Sequence, residues 1–196
     1  MAKRGLLLLL ACAPLFFTLA CAKPGKVEQG RVIAYDKQNG VVTVIRDSSG
    51  GAEKPKNDVL PPIRVKIPQD RSEMGPLPDA GARLLFDTQA RKVVFYDRAS
   101  GTIKTLAYAP VGELANVAKD DPRVKGARFP IIDKEKKTVT LYSSRDKKLV
   151  TFGVTDEFLA MPVEIWKAGD DVRYFFETPG QALRMMNVTK TDVMKG

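Results

Sequence analysis

The side chains that could carry covalent or metal chemistry are scarce in this sequence. The 196 residues include two cysteines, Cys12 and Cys21, and no histidine. The chain therefore lacks the commonest general base, the usual partner of a serine or cysteine nucleophile, and the commonest zinc and copper ligand. Because both cysteines precede residue 22, the rest of the chain has no thiol and forms no disulfide. We therefore predict no catalytic residues, no metal site and no cofactor.

Carboxylate pairs and the single tryptophan are weaker candidates for a site. Asp120-Asp121 and Asp170-Asp171 are adjacent in the sequence. Neighbouring side chains point to opposite faces of a strand, and acidic residues in turns usually cap or solvate the backbone. A hydrolase that uses carboxylates alone would need two of them facing one cleft, so this reading is the least favoured. Trp166 and the methionines are expected in the core, where such side chains fill apolar space.

Basic residues are the clearest candidates for contact with a ligand. The formal net charge is +9, and about +7 remains once the two cations of the first twenty residues are set aside. Six cations flank the segment TVTLYSS, where a hairpin would gather several of them at its tips: Lys134, Lys136, Lys137, Arg145, Lys147 and Lys148. A solvated loop is the ordinary explanation of such a cluster. The alternative is contact with an anion, with Tyr142 available to stack on a sugar or a base.

The first twenty residues have the organisation of an export signal. A Lys-Arg pair near the start is followed by an apolar stretch over residues 5–20, interrupted only by Pro14 and Thr18. This stretch is short for a membrane span, which takes about 20 apolar residues. We therefore predict that residues 1–20 are a cleaved signal peptide.

The signal ends in TLAC, in which the small residue Ala20 precedes Cys21. This motif resembles the lipobox of bacterial lipoproteins, although Thr18 stands where leucine is commoner. The resemblance implies that Cys21 becomes the new N-terminus and carries a diacylglyceryl group on its sulfur. Residues 21–29, which are polar and contain Pro and Gly, would then form a tether. Cys12 in LLAC is a rival, but the apolar segment before it is too short for a comfortable signal core.

The remainder of the chain is predicted to be mainly β. Residues 30–47 contain two runs rich in Val and Ile around Asn-Gly, the strongest short signal for a hairpin. Residues 61–68 alternate in polarity between prolines, which indicates a third strand. Further strands are predicted at 82–87, 92–97 and 102–109.

The second half of the chain repeats the order of the first. The segment DKQNGVVTV at 36–44 aligns with DKEKKTVTL at 133–141, and AGARLLFD at 80–87 aligns with AGDDVRYF at 168–175. In both halves a hairpin and a third strand precede a loop with Ala-Gly and a closing hairpin. From this order, more than from sequence identity, we infer an internal duplication.

Each half is predicted to form a small OB-like or related β-barrel subdomain. Residues 30–110 would be the first and residues 128–196 the second, joined by a linker at 111–127. The pattern of short strands resembles that of the OB-fold, in which closure removes exposed sheet edges. A short helix is predicted at about 112–119 in the linker, and one helical turn at 155–162.

Together these features predict a non-catalytic binding or scaffolding protein of the bacterial envelope. Ala22, rather than aspartate, follows Cys21, and similarity to lipoproteins then implies the outer membrane, facing the periplasm. The expected partners are the membrane, through the lipid, and an envelope protein or an anionic glycan; nucleic acid is not expected there. The alternative is a periplasmic protein that binds an anionic glycan or small ligand through the basic hairpin. The body also resembles uncharacterised envelope lipoproteins with OB-like small barrels, which implies no particular activity.

Overall fold

The computed structural model describes residues 24–50 and 55–191. The elements in chain order are β1 (Lys26–Asp36), β2 (Val41–Asp47), β3 (Asn57–Lys66), β4 (Arg83–Asp87), β5 (Lys92–Asp97), β6 (Thr102–Ala107), β7 (Pro110–Leu114), β8 (Ile131–Asp133), β9 (Thr138–Ser143), β10 (Lys148–Gly153), α1 (Asp156–Ala160), β11 (Asp171–Phe176) and β12 (Arg184–Asn187). Short 3₁₀ turns lie at Arg71–Glu73 and Val163–Trp166. The predicted mainly β class with short helices is confirmed. Within the two described ranges, no helix has the length and apolarity needed to span a membrane.

Three antiparallel sheets make up the described part of the molecule. Their strand orders are β12-β11-β1-β2-β3, β4-β5-β6 and β7-β10-β9-β8. None of these sheets closes into a barrel. The first comes nearest, because Lys66 of β3 bridges Gln181 and Met74 bridges Met185 of β12. Two isolated β-bridges are thus present in place of the continuous hydrogen-bonded pairing between β3 and β12 that a closed barrel would have.

Five hairpin turns share one design, which explains why the strands recur at short spacing. In each turn, the side chain of an Asp or Ser accepts a hydrogen bond from a backbone N–H two or three residues later, and the residue four positions on has a positive φ. Such side chains stabilise turns, and positive φ favours glycine. The turns run over Asp36–Gly40, Asp87–Arg91, Asp97–Gly101, Asp133–Lys137 and Ser143–Lys147. The predicted Asn-Gly hairpin is the first of them.

The buried side chains form two main cores. The first sheet surrounds one core, which includes Val32, Val44 and Met185. The second and third sheets share the other, in which Phe152 packs against Trp166. We call the first sheet with its core the first lobe, and the other two sheets with their shared core the second lobe. A smaller cluster, formed by Ile33, Ile45, Leu84 and Tyr96, joins the two lobes.

Each lobe takes strands from both halves of the chain. In the first lobe β11 pairs with β1, so that Val172 lies opposite Gly30. In the second lobe the side chains of β4, β5 and the segment after β6 pack on those of β9 and β10. The lobes therefore do not coincide with the domains predicted at 30–110 and 128–196. The repeated order of elements is present, but the closing hairpins are exchanged between the halves.

The helix predicted at about 112–119 is wrong. The structure has β7 at Pro110–Leu114, paired with β10, and turns without helix over residues 115–130. β-branched Val111 and Gly112 disfavour a helix, and pairing with β10 satisfies the backbone of this segment. The helical turn predicted at 155–162 is confirmed as α1, with Thr155 as its N-cap residue.

Candidate functional site

The six predicted anion contacts do not form one patch. Lys134, Lys136 and Lys137 lie in the turn before β9, whereas Arg145, Lys147 and Lys148 lie in or just after the turn that follows it. A strand of this length separates its two ends by roughly 17–20 Å. The two groups therefore belong to opposite ends of the third sheet.

Four of these six cations pair with a carboxylate. The pairs are Lys136–Asp133, Lys137–Asp156, Arg145–Asp146 and Lys148–Glu113. Ion pairs at the surface contribute little to stability, but they reduce the charge that is left to attract an anion. This arrangement favours a solvated loop over a binding hairpin. Arg145 differs from the other five, because it lines a cleft.

The cleft has a volume of about 270 Å³ and lies between the start of β4 and the turn after β9. We call it the arginine cleft, because Arg31, Arg83 and Arg145 are its three charged lining residues. Its other walls include Leu85, Phe86, Tyr142, Ser143 and Ser144. No carboxylate lines it among the residues that the structure describes. The cleft is therefore positively charged and partly aromatic.

Arg31 is fully engaged in contacts that hold strands together. Its Nε and Nη2 donate to the two carboxylate oxygens of Asp171, each at 2.7 Å. Its Nη1 donates to the carbonyl oxygens of Arg83 and Leu84, both at 3.3 Å. The side chain thus connects β1 to β11 on one side and to β4 on the other. We assign Arg31 a structural role at the back of the cleft.

Arg83 differs, because no carboxylate of the described residues pairs with it. Its guanidinium carbon lies 5.6 Å from the ring centroid of Phe86, and the side chain is half-buried. Burial, with a further contribution from the nearby Arg31 cation, lowers the pKa of Arg83 to about 10. The group is still charged at neutral pH. Arg83 is therefore a cation whose charge the surrounding protein leaves uncompensated.

Arg145 lies beside a carboxylate that is itself firmly held. Asp146 accepts hydrogen bonds from Thr88 Oγ1 and Ser143 Oγ, each at 2.9 Å, and from Arg145 Nε at 3.3 Å. Burial raises the pKa of Asp146, but these hydrogen bonds outweigh it and hold that pKa below its ordinary value. Asp146 is therefore ionised and balances Arg145. Arg83 carries the one uncompensated charge among the three arginines of the cleft.

Close backbone packing fixes Arg83 at the rim of the cleft. The N–H of Arg83 donates to the carbonyl of Lys167 at 2.9 Å. A Cβ on Gly81 would lie 2.3 Å from the same carbonyl oxygen, and a Cβ on Gly169 would lie 2.0 Å from that of Val32 and 2.9 Å from the backbone of Gly81. Only glycine fits at these two positions. The two Ala-Gly motifs of the repeat thus meet each other directly beneath the site.

Three of the four adjacent carboxylates, Asp121, Asp170 and Asp171, are engaged in structural contacts. Asp121 pairs with Arg123 at 2.6 Å in a turn. Asp170 accepts hydrogen bonds from the N–H of Asp79 and from Asn187 Nδ2, both at 2.8 Å. Across residues 24–50 and 55–191, no three metal-ligating side chains gather in one place.

Sequence reasoning pointed to Arg145 but missed Arg31 and Arg83. Arg31 lies within β1 and Arg83 is the first residue of β4, and neither belongs to a basic cluster. One signal was present: the repeat aligns Arg83 with Asp171, so the charge reverses between equivalent positions. A reversal of charge at a half-buried position indicates that Arg83 and Asp171 have different roles in the two halves.

Cys21 and the predicted signal peptide lie outside the described residues, so cleavage and lipidation stay predictions. The sequence model of one family, described as a domain of unknown function (DUF4881), matches residues 23–196. Neither the curated proteins nor the solved structures gave a match. Because the family match spans almost the whole chain that would follow Cys21, this chain belongs to the DUF4881 family.

Proposed function

We propose that this chain is a non-catalytic binding protein of the bacterial envelope, anchored by lipid on Cys21, that holds an anionic ligand in the arginine cleft. The observation that carries the binding role is Arg83, a half-buried cation without a carboxylate partner in the described part of the chain. An unpaired charge in such a place costs stability, so it is better placed to serve a ligand than the fold.

The surroundings of Arg83 suit recognition of an anion. A guanidinium presents a planar set of N–H donors that matches a carboxylate, sulfate or phosphate group. Its attraction for an anion is stronger in a half-buried site than in bulk water. Arg145 and the exposed hydroxyl of Ser144 line the same cleft and can add hydrogen bonds.

Binding should be measured on the mature-length chain with Cys21→Ser, which leaves the chain without a lipid. We expect acidic sugars to bind and neutral sugars of the same size not to bind. The affinity for acidic sugars should fall only modestly in calorimetric titrations as salt is raised from about 20 to about 200 mM, because a partly buried ion pair is screened less than an exposed one. Arg83→Gln should abolish binding. The matched control is Lys134→Gln, which removes the same charge from a turn away from the cleft. Equal loss in both variants would show that general charge, rather than the cleft, attracts the ligand.

The lipid anchor has a separate test. Metabolic labelling with a fatty acid should mark the wild-type chain and Cys12→Ser, but not Cys21→Ser. The same substitution at Cys21 should release the protein from the membrane fraction, because the acyl chains supply the membrane affinity. If the label persists in Cys21→Ser and disappears in Cys12→Ser, the lipid is attached to Cys12 and the proposed anchor is wrong.

A scaffolding role is the second candidate, and one edge of the third sheet supports it. β7 is an edge strand on which Val111 and Leu114 are 68% and 43% exposed. An edge strand with apolar side chains can accept a strand from another protein. Crosslinking of the lipidated protein in its own envelope should then recover a partner, and Val111→Lys should weaken the crosslink. Recovery of no partner would leave the ligand-binding role as the better proposal.

A further inference from the structure

Arg83 and Asp171 occupy equivalent positions in the two halves of the molecule. The aligned segments 80–87 and 168–175 place them together, and each is the first residue of its strand, β4 or β11. Burial follows the same alternation in both strands, since the next residues, Leu84 and Val172, are both buried. Arg83 and Asp171 are therefore matched in sequence alignment, in position within the strand and in burial pattern, although β11 also pairs with β1 whereas β4 is an edge strand.

Arg31 contacts both of these strand starts and meets a carboxylate at only one of them. On the side of β11 it meets the carboxylate of Asp171 in a two-pronged hydrogen bond. On the side of β4 it meets only the carbonyls of Arg83 and Leu84, beside a second cation. The first lobe thus balances its charge internally. At the start of β4, Arg83 stands where β11 has Asp171, so a cation replaces the carboxylate, and the arginine cleft opens beside it.

We propose that the arginine cleft binds a uronic acid residue, whose carboxylate pairs with Arg83 as the carboxylate of Asp171 pairs with Arg31. This inference rests on the anion-binding function proposed above and names the chemical class of its ligand.

The uncompensated charge of the cleft matches a ligand with one negative charge. Asp171 neutralises Arg31 and Asp146 neutralises Arg145, which leaves only the charge of Arg83 to be balanced. A phosphate monoester carries close to two negative charges at neutral pH and would place the excess near the ionised Asp146. A carboxylate supplies one charge and two coplanar oxygens that match two parallel N–H donors of a guanidinium.

The size and walls of the cleft favour a sugar ring over an extended acidic peptide. Its volume of about 270 Å³ lies just below the usual range of small-molecule sites, about 300–1,000 Å³, and so suits one ring. A peptide could dock by adding a strand along the edge of β4, but Arg31 already occupies the carbonyls of Arg83 and Leu84 there. Tyr142, which is half-buried, and the exposed Ser144 line the cleft and can offer a ring face and a hydroxyl to a sugar, whereas the ring of Phe86 is buried and lies under Arg83.

The test compares four sugar probes and one peptide on the mature-length Cys21→Ser chain. The probes are methyl glucuronide, glucose 6-phosphate, glucose 6-sulfate, methyl glucoside and a short Asp-rich peptide, titrated at low salt by NMR and calorimetry. We expect methyl glucuronide to bind at least about tenfold more tightly than each of the others and to shift the Nε–H resonance of Arg83. Arg83→Gln should remove this binding, Arg83→Lys should weaken it, and Lys134→Gln should leave it unchanged. Thermal unfolding of each variant shows that it is folded.

The outcomes separate the ligand class from the site. Equal or tighter binding of the phosphate or sulfate sugar, still lost in Arg83→Gln, would overturn the uronic acid assignment and keep the cleft as an anion site. Preference for the peptide would overturn the sugar assignment in the same way. If no probe binds in a manner that depends on Arg83, both the ligand class and the proposed binding function are wrong.

Discussion

At the scale of single residues, Arg31 and Arg83 show one side-chain type in two roles a few ångströms apart. Arg31 uses its donors on Asp171 and on two backbone carbonyls, so its charge is balanced and it joins three strands. Among the described residues, the side chain of Arg83 has only the face of Phe86 as a partner, and its lowered pKa reflects an unfavourable setting for a cation. Removing the charge of Arg83 and removing the carboxylate partner of Arg31 should therefore change the free energy of unfolding in opposite directions.

We predict that Arg83→Gln raises the free energy of unfolding by about 1 kcal/mol, because it removes a half-buried cation beside Arg31. Loss of the contact with Phe86 offsets part of the gain. Asp171→Asn should lower the free energy of unfolding by about 3 kcal/mol, because it leaves Arg31 without its carboxylate. Urea denaturation measures both. If Arg83→Gln destabilises the protein as much as Asp171→Asn does, Arg83 is a structural residue and the binding role loses its basis.

We predict that Asp97 makes part of the stability dependent on acid pH. Hydrogen bonds from Lys104, Ser100 and the N–H of Ala99 lower the pKa of Asp97 to about 2. Since the unfolded value is about 3.9, this contribution is fully present above pH 4 and is lost as the pH falls toward 2. Asp97→Asn should therefore lower the melting temperature at pH 7, and its deficit should shrink between pH 4 and pH 2. A deficit that stays constant over this range would contradict the assignment.

At the scale of elements, the five turns that share one design give the clearest local rule. Three of their last residues are not glycine, namely Arg91, Lys137 and Lys147, with φ of 50°, 51° and 51°. A residue with a side chain is strained in this conformation by roughly 1 kcal/mol or more. The side-chain hydrogen bonds of the first residue stabilise these turns enough to tolerate the strain of the last residue.

We predict that Arg91→Gly raises the free energy of unfolding by about 1 kcal/mol, whereas Gly101→Ala lowers it by about the same amount. Arg91 has no carboxylate partner within the described ranges, and the only neighbour that a Cβ on Gly101 would meet is the Tyr96 hydroxyl at 4.0 Å. The effects therefore report backbone conformation rather than lost contacts. Chemical denaturation of the two variants provides the measurement, and equal signs would refute the rule.

The hairpins were predictable because their signals are local. Alternating polarity marked the strands, and Asn-Gly marked the first turn. β7 was misread as helix because its strand character comes from pairing with β10, whose residues lie more than thirty positions later. Arg145 was predicted from its basic cluster, while Arg83 was not, because its role depends on Arg31, 52 residues away in the sequence. Local patterns thus reveal elements, whereas the site depends on contacts between distant segments.

At the scale of the whole molecule, the exchange of hairpins makes each lobe depend on both halves of the chain. The first lobe lacks β11 and β12 without the second half, and the core shared by the second and third sheets lacks the side chains of Phe86 and Phe95 without the first half. The repeated order of elements was predictable from the sequence. The exchange of the closing hairpins between the halves was not predictable, because the sequence does not record which hairpin pairs with which sheet.

We predict that fragments 21–119 and 120–196 fold only together. The cut falls in the turns that follow β7, outside every strand. Co-expressed fragments should co-purify and unfold in one cooperative transition, because strand pairing and both main cores cross the cut. Each fragment alone should lack cooperative unfolding by circular dichroism. A fragment that unfolds cooperatively on its own would show that one lobe is complete without the other half.

The contact between Gly81 and Gly169 has a consequence for the history of the molecule. If both halves descend from one ancestral chain, that chain would have paired with a second copy by trading hairpins, and its Ala-Gly loops would have met across the symmetry axis of a homodimer. In such a dimer every charge occurs twice, so one side of the axis cannot keep a carboxylate while the other presents a cation. Fusion of the copies removes this constraint. Asp171 and Arg83 could then diverge, one half securing the framework and the other becoming available to a ligand.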